Sequence, residues 1–209
     1  MAGAGWCKGN INHSKLLCAQ LAELLSEAGP EGDTTFQCGA KTFKCHRALL
    51  ASRCKYFNAL LYGGMKESQP EAVIQIDDVD PAAFESLLKY LYTAHLSLSR
   101  LPTDQVLQLL ELAHRYELSA LEVDICSYLR TQVSPMNAAH ICQLATFYQL
   151  SQLQAHCLDL IDCHPSESLS NISKLSSHTL HAVLSRDSYP LPEIDIFKLV
   201  HKWLEEHPG

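Results

Sequence analysis

The sequence predicts an α+β domain followed by an all-helical domain. Residues 33–38 and 41–45 form two short segments joined by a two-residue turn at 39–40, and a third short apolar run follows at 73–76. In most of the remaining chain, apolar residues recur at the spacing of helices. A strand pair and a returning strand capped by helices form an α+β arrangement, whereas the pattern after residues 134–135 is purely helical.

The first two strands have the pattern of a β-hairpin. Apolar Phe36 and Cys38 alternate with polar Gln37, as expected for a strand with one buried face. Gly39 can supply the positive φ that a two-residue hairpin turn requires. We therefore expect an antiparallel pair that leads directly into a helix.

One continuous helix is predicted from His46 to the glycine pair at 63–64. The apolar residues of this stretch fall at helical spacing and define one buried face. They are Leu49, Leu50, Cys54, Phe57, Leu60 and Leu61. The glycine pair ends the helix, because glycine readily adopts the left-handed conformation found just past helix ends.

Four more helices are predicted around these elements. The first precedes the hairpin and ends at 29–30. Asp80 and Pro81 begin another, as its cap and its first helical residue, and two further helices contain Leu110 and Ile125. The apolar stripe of the first helix consists of Leu17, Leu21 and Leu24, with Cys18 and Leu25 beside them.

The rest of the sequence is helical throughout. Two apolar stripes occupy 141–148 and 153–161, and a short one follows at 180–184. A last stripe begins at Glu193 and includes Trp203. The spacing within each stripe is that of an amphipathic helix.

Composition limits the classes of function. The chain has 209 residues, is 47% hydrophobic and 19% charged, and carries a formal net charge of −7. An acidic balance argues against nucleic-acid binding, which needs a basic face.

We expect no membrane partner, because no apolar run approaches transmembrane length and no signal-peptide pattern is present. Nine cysteines, spread through helical patterns, are typical of reduced thiols, so we expect a cytoplasmic location, with the nucleus as a second one.

The sequence offers few candidates for chemistry, and we expect neither enzyme activity nor a cofactor. Adjacent cysteine and histidine residues at 45–46, 156–157 and 163–164 invite a zinc interpretation. Neighbouring helical residues point to different faces, however, and no C-x-x-C pair is present, so we expect no metal site. The sequence also lacks a Gly-rich phosphate loop and the spacing of a Ser/His/Asp set.

A thiol-based sensor of oxidants or electrophiles is the alternative from another class of function. Cys54 lies between two cationic residues, and Cys45 precedes His46 and Arg47. Nearby cations lower a thiol pKa and raise its reactivity. Both cysteines occupy positions at which the pattern expects buried or interfacial side chains, so this alternative depends on their exposure.

Two sequence patterns resemble those of a known family. Residues 43–57 match F-x-x-H-(K/R)-x-x-L-x-x-x-(S/C)-x-x-F, and residues 63–67 match G-x-M-x-E. In this order, both resemble the core of a BTB (POZ) domain, as does the Y-x-Y-T of residues 90–93. Residues 193–203 match E-x-x-(I/V)-F-x-x-(V/L)-x-x-W, which resembles the closing pattern of the BACK domain that follows many BTB domains.

The resemblance implies three parts of the chain. An N-terminal tail with a dimerisation helix covers 1–32, a BTB/POZ domain covers 33–131, and the N-terminal part of a helical BACK domain covers 134–209. A BACK domain would continue with further helices, so we expect an excised fragment, with a short natural isoform as the alternative.

The same resemblance implies a non-enzymatic adaptor of a cullin-3 RING ubiquitin ligase. The triplet Met65, Lys66 and Glu67 resembles the φ-x-E motif with which such BTB proteins engage the N-terminal region of cullin-3, and Tyr62 lies just upstream. Helices at about 135–163 would add contact area. No segment identifies the substrate protein. A homodimeric scaffold or transcriptional-regulator module without cullin binding is the alternative within the interaction class.

A homodimer is also implied. In BTB dimers an N-terminal helix packs across the two-fold axis, where a symmetric contact would bury its apolar stripe. Asp33 and Arg47 match the charged-pocket positions of such dimers, although one opposite-charge pair could also brace the hairpin within a subunit. Thr34 departs from the family, which commonly has valine there. The stripe in this chain consists of Leu17, Leu21, Leu24 and Leu25.

Overall fold

The structure is a computed structural model that describes most of the chain, namely residues 12–25, 32–69, 72–168, 175–186 and 192–207. The chain divides into two compact units, Met1–Ser119 and Ala120–Gly209. Most of the predicted N-terminal tail and the predicted helix end at 29–30 lie outside the described residues.

The first unit contains the predicted hairpin and returning strand, which confirms the α+β class. Strands β1 (Thr34–Cys38) and β2 (Lys41–Cys45) are antiparallel. Gly39 in the turn between them has φ +55°, the left-handed conformation expected of a two-residue turn. Strand β3 (Val73–Ile76) lies parallel to β1, so the sheet order is β2–β1–β3 and β1 is the central strand.

Five helices of the first unit lie within the described residues: α1 (Ser14–Leu24), α2 (Arg47–Arg53), α3 (Lys55–Tyr62), α4 (Pro81–Thr93) and α5 (Thr103–Arg115). Helix α4 begins as predicted. Asp80 Oδ2 accepts a hydrogen bond from the backbone amide of Ala83 at 3.2 Å, and Pro81 is the first helical residue, a position whose amide has no partner within the helix.

The prediction of one continuous helix after the hairpin is wrong, because the helix breaks at Cys54. This residue is extended, with φ −142° and ψ 123°. Neither proline nor glycine marks the break, and contacts with other elements hold it instead. The Cys54 thiol donates to the Tyr116 carbonyl at 3.5 Å, and Arg53 Nε donates to the Leu91 carbonyl at 3.2 Å. The predicted apolar face is therefore divided between α2 and α3.

Contacting aromatic rings form the centre of the first unit. Phe36 on β1 has ring-centroid distances of 5.6 Å to Phe57 and 5.7 Å to Phe84, and Phe43 lies 5.5 Å from Phe84. The first three of these rings are fully buried. Such ring pairs contribute roughly 0.5–1.5 kcal/mol beyond the burial of their area, so the cluster holds α3 and α4 against the sheet.

A polar contact joins α4 to the start of α2. The Tyr92 hydroxyl accepts a hydrogen bond from the backbone amide of His46 at 2.8 Å, and His46 Nδ1 lies 3.0 Å from the same oxygen. His46 therefore joins the start of α2 to α4 through these contacts with Tyr92. Burial raises the pKa of the Tyr92 hydroxyl well above its ordinary value of 10.0, so the group stays neutral at physiological pH.

Helix α1 packs on α4 but buries none of its residues completely. The Cys18 thiol of α1 donates a hydrogen bond to the carbonyl of Thr93, the last residue of α4, at 3.2 Å. The apolar stripe of α1 is thus only partly used within the first unit.

The second unit is helical, as predicted. Its described helices are α6 (Ser119–Gln132), which begins at the unit boundary, α7 (Ala138–Phe147), α8 (Ser151–Cys163), α9 (Pro165–Ser168), α10 (Ser177–Leu184) and α11 (Glu193–Glu206). Helices α7 and α8 pack closely, and Arg186 forms a two-point ion pair with Asp162 on α8. Trp203 Nε1 on α11 donates to the Leu175 carbonyl at 2.8 Å.

None of the described helices combines the length and the apolar character needed to cross a lipid bilayer.

Phe57→Ala is expected to destabilise the first unit by about 3–5 kcal/mol, the usual cost of deleting a buried aromatic ring. The ring is fully buried between those of Phe36 and Tyr116. Urea unfolding followed by circular dichroism measures the loss. Phe147→Ala is the matched control, because that ring is 76% exposed and should cost no more than about 0.5 kcal/mol. A loss below about 1 kcal/mol for Phe57→Ala would contradict the assignment of this residue to the core.

Candidate protein-interaction site

The residues from Tyr62 to Ser68, which include the predicted interaction triplet, form a short surface stretch between α3 and β3. We call it the 62–68 segment. Helix α3 ends at Tyr62, and Gly64 has φ +78°, the left-handed conformation that commonly follows a helix end. Lys66–Ser68 then forms one turn of 3₁₀ helix. The prediction that glycine ends this helix is confirmed.

Ser68 closes the segment onto the end of α3. Its hydroxyl donates to the Leu60 carbonyl at 3.1 Å and accepts from the Gly64 amide at 3.1 Å. The Gly63 amide donates to the Ala59 carbonyl at 2.8 Å. Together these bonds satisfy backbone groups that a helix end otherwise leaves without partners.

The guanidinium of Arg47 bridges the two ends of the segment. Its Nη2 donates to the carbonyl of Leu61 and, at 2.7 Å, to the carbonyl of Ser68. Cζ lies 5.2 Å from the centroid of the Tyr62 ring, within the range of a cation–π contact. The backbone amide of Arg47 donates to Asp33 Oδ1 at 2.7 Å. Within this chain, Asp33 and Arg47 thus meet through the backbone and not through the guanidinium.

The segment exposes two large side chains beside a partly covered carboxylate. Tyr62 and Met65 are 56% and 60% exposed. The Lys66 side chain is 91% exposed, whereas only 26% of the Glu67 side chain is exposed, and its Oε1 lies 4.0 Å from Lys66 Nζ. An ion pair at this distance with one exposed member contributes little to stability, so it does not commit the Glu67 carboxylate to Lys66.

Helix α1 presents a second apolar surface. Leu17 and Leu24 are exposed, and Leu21 and Leu25 are partly exposed. Neighbouring exposed apolar side chains of this kind are typical of protein contact surfaces.

Three of the thiols singled out in the sequence, those of Cys45, Cys54 and Cys157, are buried. Burial raises the pKa of Cys45 from 9.0 to about 12, against a smaller opposing effect of its hydrogen bond with Tyr92, and burial also raises the pKa of Cys157 to about 12. Cys54 is buried against a backbone carbonyl, whereas Cys163 is exposed. In the described part of the chain, no cluster of three or more His, Cys, Asp or Glu side chains could hold a metal ion.

The fold and this surface can be compared with known families. Residues 23–133 match the family model of the BTB/POZ domain. The chain belongs to the BTB/POZ family. Residues 138–209 match the model of the BACK domain, described as "BTB And C-terminal Kelch". This BTB/POZ–BACK chain is therefore a protein-interaction module, in agreement with the adaptor class predicted from the sequence.

Several curated proteins are similar in sequence to this chain. The BTB/POZ–BACK chain is 39% identical over 202 residues to BTB/POZ domain-containing protein 9 of Bos taurus and of Homo sapiens. Each of these alignments covers 95% of this chain and 33% of the relative. It is 29% identical over 187 residues to human BTB/POZ domain-containing protein 6, covering 88% of this chain and 33% of that relative. The chain thus spans about a third of the length of these relatives.

The structure brings together four of the predicted site residues, Tyr62, Met65, Lys66 and Glu67, on one segment of the BTB/POZ domain. Sequence reasoning missed the part of Arg47 and Ser68 in holding that segment. The only local signal is that Ser68 follows Gly64 by four residues and can reach back to its amide. No pattern indicates that an arginine at the start of α2 contacts residues 14 and 21 positions further along the chain.

N-ethylmaleimide at pH 7.5 is expected to label Cys163 in the native protein and to leave Cys45 and Cys157 unmodified. A raised thiol pKa favours the neutral form, so the reactive thiolate is scarce below pH 9 and appears only as the pH approaches about 12. Tryptic mass spectrometry measures the labelling, with a urea-denatured sample as the control in which all three thiols react. Native labelling of Cys45 at the rate of Cys163 would support the sensor alternative instead.

Proposed function

We propose that this chain is a substrate adaptor of a cullin-3 RING ubiquitin ligase and binds the N-terminal region of cullin-3 through the 62–68 segment. The observation that carries the proposal is the joint exposure of Tyr62 and Met65 beside Glu67 on one short, hydrogen-bonded segment. Membership of the BTB/POZ family supports an interaction role, and the resemblance of the triplet to the φ-x-E motif supports cullin-3 as the partner.

Each side chain of the segment suits a different part of a protein groove. Met65 is flexible and polarizable, and therefore adapts to an apolar groove. Tyr62 offers more than half of its surface, and tyrosine is among the residues enriched at binding hot spots. Glu67 can accept hydrogen bonds from partner donors, while Lys66 would act mainly through long-range attraction.

Two alternatives compete with this proposal. A homodimeric scaffold or transcriptional-regulator module would use the exposed leucines of α1 and leave the 62–68 segment without a cullin. A thiol sensor would need reactive cysteines, and the burial of Cys45 and Cys54 does not favour it. We place the ligase assembly in the cytoplasm or nucleus, where thiols stay reduced, and we assign no segment to the substrate protein.

The double variant Met65→Ala/Glu67→Ala is expected to weaken binding of the cullin-3 N-terminal region at least tenfold, which corresponds to about 1.4 kcal/mol. Truncation of a buried anchor often costs about 2 kcal/mol or more. Isothermal titration calorimetry with the purified 209-residue chain measures the dissociation constant. Circular dichroism should show an unchanged fold, because an exposed surface segment contributes little to the core.

Val73→Ala is the matched control, since Val73 is also an exposed apolar side chain of the first unit, 53% exposed, but lies on β3. Its affinity should equal that of the wild type. Undiminished binding by the double variant would move the cullin site away from the 62–68 segment. If the wild type itself does not bind, the ligase-adaptor proposal is wrong and the scaffold alternative takes its place.

We further propose that the chain forms a homodimer through α1. Leu17 and Leu24 are exposed, and Leu21 lies between them on the same stripe, so a two-fold contact would bury all three. Leu21→Asp should convert a dimer into the monomer of 23.3 kDa, because a buried unpaired carboxylate is costly. Light scattering at micromolar concentration measures the mass. Leu16→Asp, on the same helix but outside the stripe, is the control that should stay dimeric.

A monomeric wild type would contradict the homodimer. If the wild type is dimeric and Leu21→Asp remains so, the interface lies elsewhere on the molecule.

A further inference from the structure

We propose that Arg47 is a positioning residue that holds the 62–68 segment in the shape that presents Tyr62, Met65 and Glu67 to a partner. The expected effect of Arg47 on partner binding rests on the proposed function of that segment. The ordering of the segment by Arg47 rests only on hydrogen bonds within this chain. It differs from the dimer-pocket role that the family resemblance implies for Arg47.

Two hydrogen bonds hold the backbone at Arg47, at the start of α2. The Asp33 carboxylate accepts from the Arg47 amide at 2.7 Å, and the Tyr92 hydroxyl accepts from the amide of the preceding residue, His46, at 2.8 Å. The residue before β1 and helix α4 therefore both anchor this point. A side chain that starts from a fixed backbone loses less conformational freedom when it forms a contact.

The guanidinium then joins two carbonyls that lie at opposite ends of the segment. The Leu61 carbonyl belongs to the last turn of α3, where carbonyls have no partner within the helix and where a cation is favoured by the helix dipole. The Ser68 carbonyl closes the 3₁₀ turn. Hydrogen bonds from a charged donor are roughly twice as strong as neutral ones, so one side chain closes the segment into a loop.

Arg47 also contacts one of the proposed anchors directly. Its Cζ lies 5.2 Å from the centroid of the Tyr62 ring, so the same cation that joins the backbone carbonyls restrains the ring. A partner that binds a preorganised surface loses less conformational entropy on association than one that must order it. Arg47 thus favours binding without being required to touch the partner.

Lysine is not expected to replace this arginine. The guanidinium presents several donors in a rigid plane, whereas an ammonium is a compact, strongly hydrated charge on a flexible stem. Arg47→Lys keeps the charge but loses the fixed two-carbonyl geometry and the stacking on Tyr62. Arg47→Met keeps much of the apolar stem and loses every donor.

The structural part is tested by hydrogen exchange followed by nuclear magnetic resonance at three amides, two within the segment and that of Gln69 directly after it. The Gly64 amide donates to Ser68 Oγ, the Ser68 amide to the Met65 carbonyl at 2.9 Å, and the Gln69 amide to the Lys66 carbonyl at 3.2 Å. In Arg47→Met their exchange should accelerate at least about tenfold, which corresponds to 1.4 kcal/mol of local opening, and Arg47→Lys should restore only part of the protection.

Two internal references separate local opening from loss of stability. The amides of β1 and β2 should keep their exchange rates in Arg47→Met. Arg100→Met is the control, because Arg100 is an exposed arginine of the first unit that lies outside these contacts, and in this variant the segment amides should exchange at the wild-type rates. Unchanged exchange at the three amides in Arg47→Met would overturn the positioning role.

The functional part is tested by calorimetry with the cullin-3 N-terminal region. Arg47→Met should weaken binding at least about fivefold, a loss that should shrink when Met65 and Glu67 are already alanine, because residues acting through one site are not additive. If Arg47→Met binds cullin-3 with the wild-type affinity although its segment amides exchange faster, the proposal that Arg47 positions the segment for binding is wrong. If the wild type does not bind cullin-3, the proposed function fails, while the exchange experiment still decides whether Arg47 orders the segment.

Discussion

The burial of Phe36 on the central strand is the constraint on which the first unit depends. This ring contacts both Phe57 on α3 and Phe84 on α4, and it can do so only because β1 lies between its two neighbours and directs alternate side chains to one face of the sheet. The hairpin turn at Gly39 and the parallel pairing of β3 place β1 in the centre. Loss of this ring would remove an aromatic contact that each of the two helices makes with the sheet.

The same packing determines where the exposed 62–68 segment begins. Phe57 and Leu61 are buried on α3, so the next residue, Tyr62, emerges at the end of the helix with its ring in solvent. The chain must then return to β3, and Ser68 and Arg47 satisfy the backbone groups at this turn. A helix end that side chains cap in this way is both ordered and exposed, a combination well suited to recognition, because its conformational entropy is reduced before a partner arrives.

Much of this fold could be predicted from the sequence because its signals are local. The positive φ at Gly39 and the cap formed by Asp80 with Pro81 each depend on a few neighbouring residues, and the position of Met65 and Glu67 followed from a short pattern. The break at Cys54 could not be predicted, because hydrogen bonds to Tyr116 and from Arg53 to α4 maintain it. The contacts of the Arg47 side chain with the Leu61 and Ser68 carbonyls could not be predicted either, because they depend on how α2 and α3 meet after that break.

The cysteines show why an interaction surface explains this chain better than thiol chemistry does. The Cys38 thiol donates to the Val79 carbonyl at 3.2 Å, and burial, followed by the nearby Asp80 carboxylate, raises the pKa of Cys38. Cys45 and Cys54 are likewise buried. A thiol that is buried, as these three are, is a packing group, and those of Cys38 and Cys54 also donate to backbone carbonyls. Tyr62 and Met65, by contrast, leave 56% and 60% of their surfaces exposed, and this exposure is why we propose contact with another protein as their role.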